Sequence, residues 1–421
     1  MTNAISTTLN EIEQLKPTIM SYLPPEDQVS LRPFWEDNFD NDLGLFARIE
    51  SIAGLAFHEL ALLYKSHFQF PIVIREFNEE LDPSGKVLGK YLEALLQLKC
   101  DNPKEMITYL REVSLSARED IQSLDFSNSE ITDEDLITAL ELCPNLTSLN
   151  LCKNKSLSGY FLSQVPNKLK VLNLDGCENL NSERLQEFLS MAREIEDLSL
   201  SNLKIITGIE LLLLDTSKLK KLNLSFCGLY PNVLQQFLSK VDKLEKIDLT
   251  STNITGDELQ DFNPLELKYL SLQFCRYLNP IALQKFLSKT TKLEVLKLFH
   301  LSNAMDITGD ELLVLDPSKL KELSLKNCRK LNRKALHDFF TKAFELEILD
   351  LSGTEITGDE LLALDPSKLK ELSLGGCRNL NKEVLQEFLS KATNLERLFV
   401  HLSNISIKDV LAFVPDQCEI F

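Results

Sequence analysis

The sequence predicts an α/β solenoid, with a curved parallel sheet on the concave face and helices on the convex face, preceded by an all-α N-terminal domain. Three observations carry that prediction. The chain has 421 residues, more than one ordinary core organises. The pattern LxxLxL begins at twelve places, from Ile121 to Leu395, at steps of 23 to 27 residues. The stretches between read as turns and short helices, so each unit is a strand and a return helix that cannot bury an apolar face alone.

In chain order, residues 1–120 come first and do not fit the repeat. They hold 11 Lys/Arg against 20 Asp/Glu, half of the chain's net charge of −18. Pro17 opens "PTIMSYL" at a first-turn position. "NDLGLFARIESIAGLAFHELALLYKSHF", "GKVLGKYLEALLQL" and "KEMITYLREV" place apolar residues at three-to-four spacing, so five or six helices are expected, capping the open end of the array. Trp35 is read as core.

Residues 121–421 form the array. "TGDEL" at Thr255, Thr308 and Thr357 sets Thr three residues before Glu, the pattern of a capping box. Asn181, Asn332 and Asn381 are the expected caps of the alternate helices. The "DPSK" turns return the chain to the next strand. The repeats alternate between two types. One carries Cys three residues past the motif, at Cys177, Cys227, Cys275, Cys328 and Cys377. The other reads like "LEILDLSGTEITGDELL".

This is the pattern of leucine-rich repeats. "IQSLDFSNSEITDEDLITALELCPN", from Ile121, resembles the cysteine-containing class found in F-box substrate adaptors, and in leucine-rich repeat effectors of intracellular bacteria. "IMSYLPPEDQVSLRPFW" resembles part of an F-box, within a degenerate segment near residues 9–36, although Pro17 falls where the first helix of that unit runs. The resemblance implies that Tyr22, Leu23 and Leu31 form an apolar contact for the linker subunit of a cullin ubiquitin ligase.

Two columns of the array ask for a chemical reading. The repeated cysteines lie two repeats apart, about 10 Å at the strand spacing, too far for shared zinc ligation. They are read as buried thiols filling the turns. The residue after the first Leu alternates in sign over ten strands, from Lys170 and Glu196 to Lys370 and Glu396. Cross-strand neighbours of opposite charge attract, so a surface ion-pair ladder is expected.

Other chemistries find little support. The acidic balance disfavours nucleic acid and anionic membrane surfaces. No apolar stretch reaches the roughly 18 residues of a membrane span, and no secretory signal is visible. Nine cysteines without a CxxC pair point to a reducing cytoplasm, or a host cytosol for a bacterial effector. Cys100, Cys143, Cys152 and Cys418 have no acid or base at a recognisable spacing. No phosphate-binding, zinc-protease or nucleophile-elbow motif occurs, so no catalytic residue, metal or cofactor is assigned.

The function read from these features is non-enzymatic recognition of a protein partner by a monomer, through the concave face. Most outward positions of the array hold Ser, Asn, Asp, Lys or Glu, whereas its middle holds Phe226, Tyr269, Phe274, Phe299 and His300. Clustered exposed aromatics mark interaction sites. Two alternatives stay open: a ubiquitin-ligase substrate adaptor, and an enzyme with its site in the N-terminal helices. The near-copies "LDPSKLKELSLKNCRKLN" from Leu315 and "LDPSKLKELSLGGCRNLN" from Leu364 differ at Lys326/Gly375, Asn327/Gly376 and Lys330/Asn379. The first two are expected to vary because the face reads a partner.

Overall fold

The computed structural model describes residues 103–112, 115–299 and 307–421. Tyr22, Leu23, Leu31, Trp35, the helices expected before residue 103, Cys100 and His300 lie outside them. The chain divides into two compact units, Met1–Asn173 and Leu174–Phe421.

The described part of the first unit holds helices α1 (Pro103–Glu112), α2 (Leu115–Asp120) and α3 (Asp133–Leu142). Its strands are β1 (Ser123–Asp125), β2 (Ser148–Asn150) and β3 (Val171–Asn173), paired in parallel in chain order. α1 contains the expected "KEMITYLRE" helix, packs against α3 and buries Ile107 and Leu110. Thr132 caps α3 by accepting from the N–H of Asp135 at 3.2 Å.

The second unit repeats one device. Strands β4 (Asp197–Ser199), β5 (Lys221–Asn223), β6 (Lys246–Asp248), β7 (Tyr269–Ser271) and β8 (Val295–Lys297) run parallel, each beside the next in sequence. β9 (Glu322–Ser324), β10 (Ile348–Asp350), β11 (Glu371–Ser373), β12 (Arg397–Phe399) and β13 (Glu419–Ile420) continue the order. The register stacks the central residue of each strand: Leu222, Ile247, Leu270, Leu296, Leu323, Leu349 and Leu372 align and are buried. This apolar column, with the flanking leucines of the motif, is the core.

The return segments are not all helices of one kind. The Cys-type repeats use α-helices: α4 (Ser182–Met191), α5 (Pro231–Leu238), α6 (Pro280–Leu287), α7 (Arg333–Phe340) and α8 (Lys382–Leu389). Asn181, Asn332 and Asn381 cap α4, α7 and α8 through their side-chain oxygens, as expected. Phe237, Phe286, Phe339 and Phe388 carry the helices' apolar faces into the core. The alternate repeats instead use 3₁₀ turns at Ile209–Leu211, Asp257–Leu259, Asp310–Val314 and Asp359–Ala363. A 3₁₀ segment rises about 2.0 Å per residue against 1.5 Å in an α-helix, so it covers the return with fewer residues. Three of these repeats are only 23 or 24 residues long.

The box expected at "TGDEL" forms in its contacts, with the Thr255 and Thr308 hydroxyls accepting the N–H of Asp257 and Asp310 at 3.3 Å, but its cap position is corrected. The residue at the cap position is Gly256, Gly309 or Gly358, in the left-handed region at φ between 90° and 99°. The Glu does reach back, but as a buried acceptor. Glu258 takes the N–H of Gly256 at 2.8 Å and of Thr255 at 3.0 Å. Glu311 and Glu360 do the same at Gly309 and Gly358. Burial pushes the Glu311 carboxyl up, against the opposing pull of those N–H groups.

The cysteines are buried and free, and four of them bind across repeats. Cys227, Cys275, Cys328 and Cys377 donate to the carbonyls of Leu200, Leu249, Leu298 and Leu351 at 3.1–3.3 Å. Burial pushes the Cys328 thiol up to about 12 and that of Cys227 to about 11, so these are packing groups and not nucleophiles. Among the described residues no cluster of His, Cys, Asp and Glu could hold a metal ion. No helix among them is long and apolar enough to cross a membrane.

The charged column forms pairs rather than a continuous ladder. Lys220, Lys268, Lys321 and Lys370 bind Glu196, Glu245, Glu294 and Glu347 of the preceding strand at 2.6–2.7 Å. The pairing joins a Glu-type repeat to the Cys-type repeat after it, giving a structural unit of two repeats. Lys268→Glu is expected to lower the melting temperature by about 1–2 °C in dilute buffer, a difference that shrinks in molar salt. Equal melting of mutant and parent at low salt would show that the pair contributes nothing.

Candidate recognition surface

Among the described residues, the second residue past each LxxLxL motif has one backbone state. Asn128, Lys153, Gly176, Asn202, Phe226, Ser251, Phe274, Asn327, Gly353, Gly376 and Leu402 all have φ between 56° and 72°. In that state the residue's N–H donates to a carbonyl of the next repeat, as Phe226 does to Thr250 at 2.8 Å and Phe274 to Phe299 at 2.7 Å. The bond extends the strand ladder by one step. Gly and Asn tolerate left-handed φ; a bulky residue there costs about 1–3 kcal/mol.

This corrects the reading of the two near-copies. Asn327 and Gly376 are alternative solutions to the same left-handed position. A Cβ on Gly375 would meet the exposed His401 ring at 2.7 Å, so a side chain there displaces that ring. Backbone conformation accounts for the Asn327/Gly376 difference. Two of the outward positions expected on the strands are also closed. Ser271 and Ser324 are buried, and the Ser271 hydroxyl lies 2.7 Å from that of Thr250.

Phe226 and Phe274 are the aromatic residues among the described members of the left-handed column. Phe226 is 55% exposed and Phe274 half-buried. They wall an open depression of about 570 Å³ with Gly228, Asn253, Arg276 and Tyr277. Tyr277 is 67% exposed. Phe299, on the next repeat, meets Phe274 edge to face with ring centres 4.3 Å apart, and the Lys326 ammonium lies 5.3 Å from its ring centre.

Tyr269 sits apart from this group, on the sheet. Its ring has the Lys246 ammonium at 4.4 Å and that of Lys297 at 5.7 Å. Burial, then the nearby Asp248, pushes the Tyr269 hydroxyl up. Burial pulls Lys297 down, but the Glu322 carboxylate at 2.7 Å outweighs it and holds the ammonium above its ordinary value. The structure therefore brings Phe226, Phe274 and Phe299 together, leaves Tyr269 as a separate cation-flanked ring, and does not describe His300.

Sequence reasoning missed Gly228, Arg276 and Tyr277, which lie just beyond the strand frame that was searched. A signal was present: the residue after each repeated Cys reads Glu178, Gly228, Arg276, Arg329 and Arg378, a charged column broken only by Gly228.

No family model matches the chain. A curated relative, Protein PAC2 of Saccharomyces cerevisiae, is 32% identical over 114 residues, which is 26% of this chain. The chain spans 22% of the length of that protein. A chain of the yeast Rad7 and Elc1 complex matches with a TM-score of 0.60 at 20% identity, covering 83% of this chain and 94% of that one. The internalin InlF of Listeria monocytogenes matches at 0.52 and 16% identity, covering 78% and 96%. These structural likenesses are of fold. Together with the twelve-fold motif and the parallel register, they define a leucine-rich repeat solenoid.

Proposed function

We propose that the chain is a recognition scaffold that binds a protein partner at the loops following β5–β8, through Phe226, Phe274 and Phe299. The observation that carries the reading is the pair of phenylalanines held at left-handed backbone. At this position the other described repeats hold Gly, Asn, Ser, Lys or Leu, and the repeat from Leu293 holds His300. A strained aromatic on the surface contributes little to the fold, and aromatics dominate the energetics of protein interfaces. The Rad7 and Elc1 structure, a complex of two proteins, has the same fold. In a narrower version, the segment with Tyr22, Leu23 and Leu31 holds a ubiquitin-ligase linker while the array reads substrate; it draws on the F-box resemblance.

Affinity capture from eukaryotic lysate, comparing the parent with a Phe274→Ser, Phe299→Ser double variant, tests the main reading. At least one protein should be recovered with the parent and depleted with the variant, its affinity about 30-fold lower (about 2 kcal/mol). Recovery of the same proteins by both, or of none by either, would count against the proposal.

A further inference from the structure

We infer that the depression between Phe226 and Phe274 takes a carboxylate side chain of the partner, set beside a bulky apolar one. The inference rests on the recognition reading and names the chemistry of the partner. Its starting point is a local reversal of charge. The chain carries −18, yet of the residues lining the depression only Arg276 is charged. The surface cations below it on the sheet are engaged: Lys268 by Glu245, Lys297 by Glu322 and Lys321 by Glu294. Arg276 is exposed and has no ion-pair or hydrogen-bond partner among the described residues.

The shape has a plain cause. Gly228, Asn253 and Arg276 occupy the same position in three successive repeats. Gly228 has no side chain, and nothing lies within 4 Å of where its Cβ would stand. Asn253 is short, and Arg276 closes the far side. Phe226 and Phe274, two strand spacings or about 10 Å apart, form the walls. The gap admits one side chain between two apolar surfaces, with a guanidinium at its end.

Burying that guanidinium under an apolar or basic group would leave an uncompensated charge, which is the costly way to close an interface. A carboxylate offsets the cost and matches the planar donor fork of arginine in two parallel hydrogen bonds. The exposed rings of Phe226 and Tyr277 then cover an adjacent apolar side chain. A nucleic-acid strand would also bring anions and stacking groups. It would bring several phosphates to a depression that holds one charged residue, Arg276, so a single acidic side chain fits better.

The test is selection of a displayed random-peptide library against the full chain. Enriched peptides should carry Asp or Glu within two positions of an aromatic residue or Leu. Arg276→Ala should weaken them at least about tenfold. Gly228→Tyr should do the same by filling the depression; it enters open space, so its melting should match the parent. Arg276→Glu should shift the selection to Lys- or Arg-containing peptides. Enriched peptides without acidic residues would overturn the inference. So would acidic ones indifferent to both Arg276→Ala and Gly228→Tyr; if those are lost on Tyr269→Ser, recognition stands and only this site fails. No enrichment sinks both readings. Displacement of the peptides by oligouridylate, with the same dependence on Arg276, would replace the acidic segment by a nucleic acid.

Discussion

Glu258→Ala is expected to cost about 3 kcal/mol, a large loss for a single polar side chain. The carboxylate is buried and accepts the N–H groups of Gly256 and Thr255, at 2.8 and 3.0 Å, together with the Thr255 hydroxyl. Truncation removes the acceptor and leaves the Gly256 donor, itself buried, without a partner. Each stranded buried donor costs about 1–3 kcal/mol. Glu258→Gln keeps one acceptor oxygen and should lose about half as much. Chemical denaturation gives the totals. Hydrogen exchange at the Gly256 amide localises the effect, since a solenoid opens locally before it unfolds as a whole. A loss under about 1 kcal/mol for the Ala variant would mean that water replaces the carboxylate, and the turn would not depend on it.

The same turn shows where sequence reading stopped. Thr and Glu three residues apart fit an α-helical capping box and a 3₁₀ turn equally well, because both need an acceptor for the first free N–H groups. Repeat length separates most cases: the repeats from Leu244 and Leu346 are 23 residues long and those from Leu267 and Leu320 are 26, but the 3₁₀ repeat from Leu293 is 27. The apolar core was fully legible, because stacking repeats forces one residue type into each buried column. Cys275 and its equivalents were legible as packing groups, but their bonds to the preceding strand's carbonyls were not, since a thiol donor leaves no mark on spacing. The alternation of Lys268 and its neighbours revealed opposite charges in register; only coordinates show that each Lys chooses the earlier strand. Phe226, Phe274 and Phe299 were found as exceptions to a polar pattern. The left-handed column beneath them went unseen, because Lys153, Ser251 and Leu402, with the two phenylalanines, obscure its Gly and Asn preference.

Phe226→Asn should separate stability from binding. Left-handed backbone costs a bulky residue about 1–2 kcal/mol, and Asn, which the chain already uses at Asn202 and Asn327, bears it more easily. Against this stands the apolar area that Phe226 still buries. At 55% exposure that is under half of a contribution of about 1.5–3 kcal/mol, so about 1 kcal/mol. The balance is a stability unchanged or raised by up to about 1 kcal/mol, with the N–H of residue 226 still bonded to the Thr250 carbonyl. Affinity for the partner should fall by about 2 kcal/mol or more. Phe274→Asn makes the contrast sharper. It relieves the same strain but gives up the edge contact with Phe299, worth about 0.5–1.5 kcal/mol, so its stability should fall below that of Phe226→Asn. By comparison Phe286→Ala, in the buried stack with Phe262, should cost about 3–5 kcal/mol. Equilibrium denaturation of the three variants, beside titration of a verified partner, gives the full pattern. A stability loss above about 1 kcal/mol for Phe226→Asn would make the ring a structural element, and the strain at its backbone would then have no functional reading.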